Sequence, residues 1–546
     1  MSRKLAMYDV RGIQDYIYKT AKVQDAIGAS AIVEDIISEA LKDAVEKESL
    51  SYDLEWYDEN GVLPYDVSKA SDTDVQVLYI GGGNAFVSFQ DEDICQRVNH
   101  RMSRYVLEKT YSLQLAIAVT DQTENYADDY KNIFDEMVRV KANMEVSKPF
   151  GALPVMDVEI KTGLPACPIE KKDGDKAIGT SRETYLKKAK EDQVRDLIQR
   201  AKIFDNYVES KGVDSTLAVV HIDGNNMGLR IRKLIDGIED YGKAVNKMRE
   251  ISYCINHSYK SVYEQMENQF NRYAGKGDGK KQYNVLKILT AGDDITYVCK
   301  GKYALSTVEY FCKEIGELTM NGGTSKEDIN LYGFSVCAGV AYIGSHFPFS
   351  VGYEVAEACC DSAKDMAKKP ENMLPVDQDG KVITNVDGTA KAGVSYKIGN
   401  WVDFQICKNI HTGDLDKTRK LEYVTSHNEK LLIRPYELPL LNLKSREGAI
   451  NKYENLKCNI RYFQNDKKIP HSHAKKLRNL YSSGQEVVNE FAAFLASRGW
   501  KMPDGTVDMY TEDNQALWYD ALELFDCFEE VDVEKIQKEE TGHGDL

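Results

Sequence analysis

The chain opens on an apolar run, Lys4–Val10, followed by two stretches with apolar residues at helical spacing, Ile13–Tyr18 and Ala26–Val45. Two further runs, Gln76–Ile80 and Ala85–Phe89, flank Gly81-Gly82-Gly83-Asn84 and predict a hairpin with a glycine-rich tip. A helix near Asp93–Lys109, a strand over Leu113–Thr120 and a helix from about Asn125 to Met144 complete a β-α-β-β-α-β series, the ferredoxin-like order. Residues 149–213 break this pattern. They hold the turn-rich Lys148-Pro149-Phe150-Gly151, Leu164-Pro165 and Lys171–Lys176, then a helix over Ser181–Phe204.

From Thr216 the order returns. A strand over Thr216–Ile222 runs into Asp223-Gly224-Asn225-Asn226-Met227-Gly228, and the next helix carries Met227, Ile231, Leu234 and Ile238 on one stripe. A polar insertion ends in Gly275-Lys276-Gly277-Asp278-Gly279. After it the pattern predicts strands over Asn284–Thr290 and Ile295–Cys299, joined by Ala291-Gly292-Asp293-Asp294. A helix over Tyr303–Thr319, a strand over Phe334–Ala341 and a helix over Gly352–Lys368 close the unit, with Val394–Ile398 and Trp401–Ile406 as edge strands. The remainder has helical periodicity. The fold class expected is α+β, with two ferredoxin-like domains at 1–148 and 214–406, a connector at 149–213 and a helical domain at 407–546.

The two units look like a duplication. Asp9 closes the first strand of one and Asp223 that of the other; the hairpin tips follow 74 positions (Asp9 to Gly83) and 70 positions (Asp223 to Asp293) later. Laying IGGGNAF over TAGDDIT sets Gly83 opposite Asp293 and Asn84 opposite Asp294. One unit therefore carries three carboxylates at a place where its sibling carries one.

Composition adds limits. With 546 residues, 42% apolar and 29% charged, the chain is long enough for three or four domains, or two large ones with additions. Its charge, 70 − 87 = −17, makes it a poor non-specific binder of polyanions. No run approaches the roughly 18 apolar residues of a membrane span, so neither a membrane partner nor a secretory route is expected, and a cytoplasmic location is. Eleven cysteines without a C-x-x-C pair suit that compartment. Cys359 and Cys360 read as small core residues, and Cys167 lacks the neighbours of a metal site. The basic stretch Lys467–Lys476 reads more readily as a solvated helix start than as a nucleic-acid contact.

In a β-α-β-β-α-β unit the first and third strands lie side by side, so Asp223, Asp293 and Asp294 are expected to converge. Carboxylates packed this closely repel one another unless a cation neutralises them. A pair of Mg²⁺ or Mn²⁺ ions suits hard oxygen ligands and phosphate chemistry. The turn Gly224–Gly228, with Gly292 in the facing tip, would offer backbone N–H groups at a helix N-terminus to a triphosphate. Gly-Asp-Asp or Asp-Gly-Asn-Asn alone is usually a turn; both at strand ends of one unit favour a metal–nucleotide site. His221 shares the strand face of Asp223 and reads as a packed histidine.

These residues resemble a known family. VRGIQDYIYKTAKVQDAIGASAIVEDI and LYIGGGNAFVSF are similar to the first palm domain of the large polymerase/cyclase subunit of type III CRISPR effector complexes. LAVVHIDGNNMGLRI, LTAGDDITYVC and FSVCAGVAYIGSHFPFSVGYEVAEACCDSAKDMAKK are similar to its second palm, and KKIPHSHAKKLRNLYSSG to its helical domain. The resemblance implies a metal-dependent nucleotidyl cyclase that makes cyclic oligoadenylate messengers from ATP in antiviral defence. Asp223, Asp293 and Asp294 would be the catalytic and metal-binding residues. Lys364 and Lys368 would contact the triphosphate, and Gly81, Gly82 and Gly83 would face the acceptor nucleotide. Ala291 replaces a glycine of the usual Gly-Gly-Asp-Asp. The HD nuclease domain of many relatives and the zinc-binding cysteine quartet of some are not in this sequence, so DNA cleavage is not expected. Guide or activator RNA and effector subunits are implied partners, with a stand-alone member as a further reading. The competing reading is a nucleotide- or RNA-binding scaffold, against which three clustered, unpaired carboxylates argue.

Overall fold

The computed structural model describes residues 3–20, 23–59, 61–81, 83–145, 153–170, 176–194, 216–273, 284–320, 334–376, 395–408, 414–440 and 449–531. β1 (Lys4–Arg11) leads into α1 (Ile13–Tyr18) and α2 (Val23–Lys47), then three short strands, β2 (Tyr52–Asp53), β3 (Tyr57–Asp58) and β4 (Gly61–Val62). β5 (Val75–Gly81), β6 (Asn84–Phe89), α3 (Glu92–Thr110), β7 (Gln114–Asp121) and α4 (Tyr126–Asn143) follow. The sheet order is β2-β5-β6-β1-β7, so the first strand lies beside the third, as expected. Successive β1 residues point to opposite faces. Leu5 and Met7 enter a core shared with α4, while Ala6 and Tyr8 enter another beneath α2 and α3.

The connector has structure of its own. β8 (Ala166–Glu170) and β9 (Lys176–Ser181) form a hairpin, and α5 (Arg182–Val194) packs on α2. A Cβ at Gly28 of α2 would lie 1.9 Å from the Lys187 carbonyl oxygen, so only glycine permits this approach. The stretch 195–204 of the helix expected here lies outside the described residues.

The second unit comprises β10 (Thr216–Gly224), α6 (Met227–Ile235), α7 (Tyr241–Tyr273), β11 (Val285–Ala291), β12 (Asp294–Lys300), α8 (Ala304–Met320), β13 (Val336–Gly344) and α9 (Phe349–Ala367). β14 (Leu374–Val376), β15 (Ser395–Lys397) and β16 (Asn400–Ile406) come next. The sequence is then completed by α10 (Leu415–Glu422), β17 (Tyr436–Leu438), α11 (Tyr453–Phe463), α12 (His471–Leu480), α13 (Gln485–Ser497) and α14 (Tyr519–Leu524). The sheet order is β11-β12-β10-β13-β16-β17. β16 runs parallel to β13, and α9, which packs on both, is in the connection between them. The whole is a mixed α+β structure.

Three expectations change. The polar insertion contains a 33-residue helix, α7, whose apolar positions Ala244, Met248, Ile251, Ile255, Tyr259, Val262 and Met266 are buried in the core of both units. Its remaining loop, with Gly275–Gly279, lies outside the described residues. The Val394–Ile398 segment does not edge the main sheet: β15 pairs with β14 in a two-stranded sheet of their own. Ile238 falls beyond the end of α6, although it packs on the same core.

The C-terminal helices are fixed to the second sheet by buried charge. Arg419 forks onto Asp403 of β16 with both contacts at 2.8 Å, and Arg434 reaches Glu523 at 3.1 Å. The basic stretch starts α12, where His471 and Lys475 meet Asp526 at 3.0 and 3.3 Å. Cys359 and Cys360 are core residues, and all eleven cysteines are thiols. Among the described residues no helix is long and apolar enough to cross a membrane.

Candidate functional site

Asp223 sits one residue before the end of β10, and Asp293 and Asp294 lie at the turn from β11 to β12. Pairing of Ile222 with Ile295 carries the register to the strand ends, where one further step sets Asp223 across from Asp294. Gly292 turns the hairpin at φ +66°. A Cβ at Gly224 would lie 2.7 Å from Asp293 Oδ2, so the absent side chain lets Asp293 fold down against β10. All three carboxylates line one cleft of about 960 Å³. Gly12, Ile80, Gly81 and Gly83 of the first unit line the same cleft. Gly82 lies outside the described residues.

The electrostatics are those of crowded acids. Burial, and then the charge of Asp223, push the Asp293 carboxyl up to about 6. Burial and the charges of Asp223 and Asp293 hold Asp294 well above the usual carboxylate range. Asp294 Oδ1 is buried without a hydrogen-bond partner among the described residues. His221 Nδ1 stands 3.4 Å from that oxygen and 3.1 Å from Thr296 Oγ1. Burial lowers His221 to about 4, so it faces Asp294 as a neutral ring. It is packed, as expected.

Asp223 departs from expectation. The sequence reading has three unpaired carboxylates, whereas Lys364 of α9 donates to Asp223 Oδ2. Burial opposes the charge of Lys364, but Asp223 more than offsets this and the ammonium titrates above its ordinary value. Among the described residues no group of three or more His, Cys, Asp or Glu side chains is assembled as a ready metal site. The donor chemistry nonetheless fits a hard divalent cation. It offers a buried orphan oxygen on Asp294, a carboxyl on Asp293 raised by its neighbours, and a third carboxylate now held by a lysine.

The turn Gly224–Gly228 also needs correcting. The Asn225 N–H is not offered to solvent: it donates to the Ser335 carbonyl, while its side-chain amide donates to the Gly399 carbonyl at 3.1 Å. A buried amide must satisfy its polar atoms, and this one does so inside the fold. Asn226 is exposed at φ +56° as N-cap of α6, Met227 is buried, and Gly228 is exposed. None of the four lines the cleft. Lys368 is exposed at the C-terminal end of α9.

Sequence reasoning missed what α7 and α1 bring. Tyr259 is fully buried, its hydroxyl lacks a hydrogen-bond partner among the described residues, and it would stand 2.8 Å from a Cβ at Gly224, beside Asp293. Ser252 closes on Gly81 from the same helix. Arg249 anchors α7 to the first unit, donating to the carbonyls of Leu63, Val77 and Leu78 at 2.8, 2.5 and 2.8 Å. From α1, Tyr18 stacks on Tyr353 at 3.6 Å, and that ring meets His221 edge-on. The signal for α7 was its apolar spacing of three and four.

Residues 216–373 match the family model of Cas10/Cmr2, second palm domain. This stretch is similar to a Cas10/Cmr2-type second palm. The resemblance carried by LAVVHIDGNNMGLRI and LTAGDDITYVC is borne out there, and the three aspartates and Lys364 all fall within the matched residues. Among solved structures the chain is similar to a Csm1–Csm4 cassette in complex with cA4, at 13% identity and a TM-score of 0.47, over 96% of this chain and 69% of that one. It is similar to Csm1 from T. onnurineus at 14% identity and 0.46 over the same shares, and to the cassette with one ATP at 14% and 0.46. No curated protein matches the chain by sequence.

Proposed function

We propose that the chain is a metal-dependent nucleotidyltransferase of cyclase type that joins ATP or a related nucleoside triphosphate into a (cyclic oligo)nucleotide messenger in CRISPR-type defence. One observation carries this reading: Asp223, Asp293 and Asp294 of a Cas10/Cmr2-type second palm lie at one cleft with the glycine tip of the first unit. In this reading the halves are two ferredoxin-like palms, with a connector and a helical domain divided at 148, 213 and 406. Mg²⁺ or Mn²⁺ ions on the three aspartates would activate an attacking 3′-hydroxyl and neutralise the leaving pyrophosphate. Lys364 leaves Asp223 to meet the triphosphate, Asp293 and Asp294 would hold the cations that neutralise the developing charge, and Gly81 and Gly83 leave room for the acceptor nucleotide. Lys368, at the mouth of α9, guides phosphate by charge alone. Guide or activator RNA and effector subunits are the partners this reading names, in the cytoplasm.

Incubation of the purified chain with each NTP and Mg²⁺ or Mn²⁺ tests the proposal. Pyrophosphate should be released, and mass spectrometry should identify the product. Undiminished turnover in an Asp293→Ala/Asp294→Ala double variant would refute it.

The Lys364–Asp223 pair favours one second reading, a scaffold that holds nucleotide without chemistry. Tight ATP binding with no product under any divalent cation decides for the scaffold.

A further inference from the structure

The same cleft has a second end whose chemistry is aromatic. Trp56 and Tyr57 come from β3 and the residue before it, and Tyr253 and His257 from α7; all four line the cleft. Their rings form a chain. Trp56 meets Tyr57 edge-on at 4.8 Å, Tyr57 meets Tyr253 at 5.9 Å, and Tyr253 stacks on His257 at 5.4 Å with planes 7° apart. Tyr57 is 53% exposed although it lies against two other rings, so part of its face is open to the cleft.

This shelf is held in place. Arg249 donates to the Leu63 carbonyl, and Asn246 accepts from the Tyr65 N–H at 2.6 Å, so the strand pair bearing Tyr57 is tied to the helix bearing Tyr253. The shelf also sits at a usable distance from the carboxylates. Tyr253 lies six residues from Tyr259, which abuts Asp293, and at 1.5 Å per residue that is about 9 Å along α7.

Charge decides what the shelf can take. Among the described residues eight aspartates and glutamates line the cleft against a single lysine, Lys260. Glu34, Asp35 and Asp223 are paired with Lys287, Lys190 and Lys364, and the balance stays acidic. A phosphate chain laid along this wall is repelled, so an anionic ligand must keep its phosphates at the cation-binding end and its uncharged, planar part here.

We infer that Tyr57, Tyr253 and His257 form a stacking shelf for the nucleobase of a nucleotide whose phosphates lie at Asp223, Asp293 and Asp294. The inference rests on the nucleotide reading of the cleft and adds the residues that hold the base. Stacking on aromatic rings tolerates every base, so the shelf supplies affinity while leaving base choice to other contacts.

The full chain is titrated with adenosine, ATP and tripolyphosphate while tryptophan fluorescence is followed, with Trp56→Phe identifying the Trp56 signal. Adenosine and ATP should perturb Trp56, and tripolyphosphate should not. Tyr57→Ala and His257→Ala, both at exposed positions, should each weaken ATP binding about five- to 150-fold, and Tyr57→Phe should restore it. Parental ATP affinity in both alanine variants, a response to tripolyphosphate equal to that of ATP, or no binding of adenosine or ATP to the parent overturns the shelf. Pyrophosphate release separates the two ideas. Turnover with unchanged KM in both alanine variants sinks the shelf and keeps nucleotidyl transfer; adenosine binding at Trp56 without turnover of any NTP keeps the shelf and sinks the transfer.

Discussion

Lys141 and Lys364 stand at the same place in the two halves of the molecule. Each is the sixteenth residue of its helix, α4 or α9, and each donates to the aspartate closing the first strand of its sheet, Asp9 or Asp223. Other marks repeat. A left-handed residue caps the next helix three positions on, at Gly12 and Asn226. The second strand loses register around Leu78 and Ile288, six positions before Asn84 and Asp294. What differs is the charge: one carboxylate against one ammonium in the first half, three against one in the second.

That difference predicts how the lysines respond to replacement. Lys364→Met should tighten Mn²⁺ binding about tenfold, because an internal cation no longer competes for Asp223, while lowering NTP turnover. Lys141→Met should leave Mn²⁺ affinity unchanged. Calorimetric titration with Mn²⁺ checks both, and equal effects from the two substitutions would contradict the asymmetry.

Asp293 predicts a pH slope in metal-free protein. Its carboxyl loses a proton near 6 when folded and near 4 when unfolded, so between these values the unfolded chain binds fewer protons. Stability should therefore fall as pH rises from about 4 to 6, and the penalty should persist above that. Asp294, raised by the same causes, adds to it. Urea midpoints in EDTA should fall less steeply over this window for Asp293→Asn than for the parent.

Tyr259→Phe removes a buried hydroxyl that bonds to nothing among the described residues. Unfolding free energy should stay within about 1 kcal/mol of the parent or rise. Turnover should drop, since that hydroxyl is the neighbour available to steady Asp293. A loss of more than about 2 kcal/mol in chemical denaturation would show that the hydroxyl has a partner.

Gly224→Ala puts a methyl group 2.7 Å from Asp293 Oδ2 and 2.8 Å from the Tyr259 hydroxyl. Side chains rather than backbone must give way, so the fold should survive with a loss of about 1–3 kcal/mol. Nucleotide turnover should collapse. Near-normal activity with an unchanged circular dichroism spectrum would mean Asp293 need not lie where it does.

Arg249→Met strands three carbonyls that one guanidinium now satisfies. The expected cost is roughly 3 kcal/mol or more, and Lys, which lacks the planar fork, should recover little of it. Hydrogen exchange should then quicken first in α7 and β5.

Strands and helices were legible where one periodicity holds over a whole element, as in β1, α4, β12 and α9. The twofold pattern of the chain, and the meeting of Asp223 with the Asp293–Asp294 tip, followed from strand order. The rest depends on partners distant in sequence. α7 read as polar because its charged residues alternate with an apolar stripe shared between two units, of which neither is visible locally. Asn225 read as an open anion donor, yet its amide finds carbonyls 110 and 174 positions away. The lysines on Asp9 and Asp223 likewise lie 132 and 141 positions from their acids.

One buried cluster holds Met7 and Tyr126 of the first half, Tyr259 and Phe311 of the second, and Tyr481 and Leu522 of the C-terminal helices. The two halves and the C-terminal helices thereby share one core rather than each closing its own. Excising either half would bare a large greasy surface to water, so neither is expected to stay soluble and folded without the other.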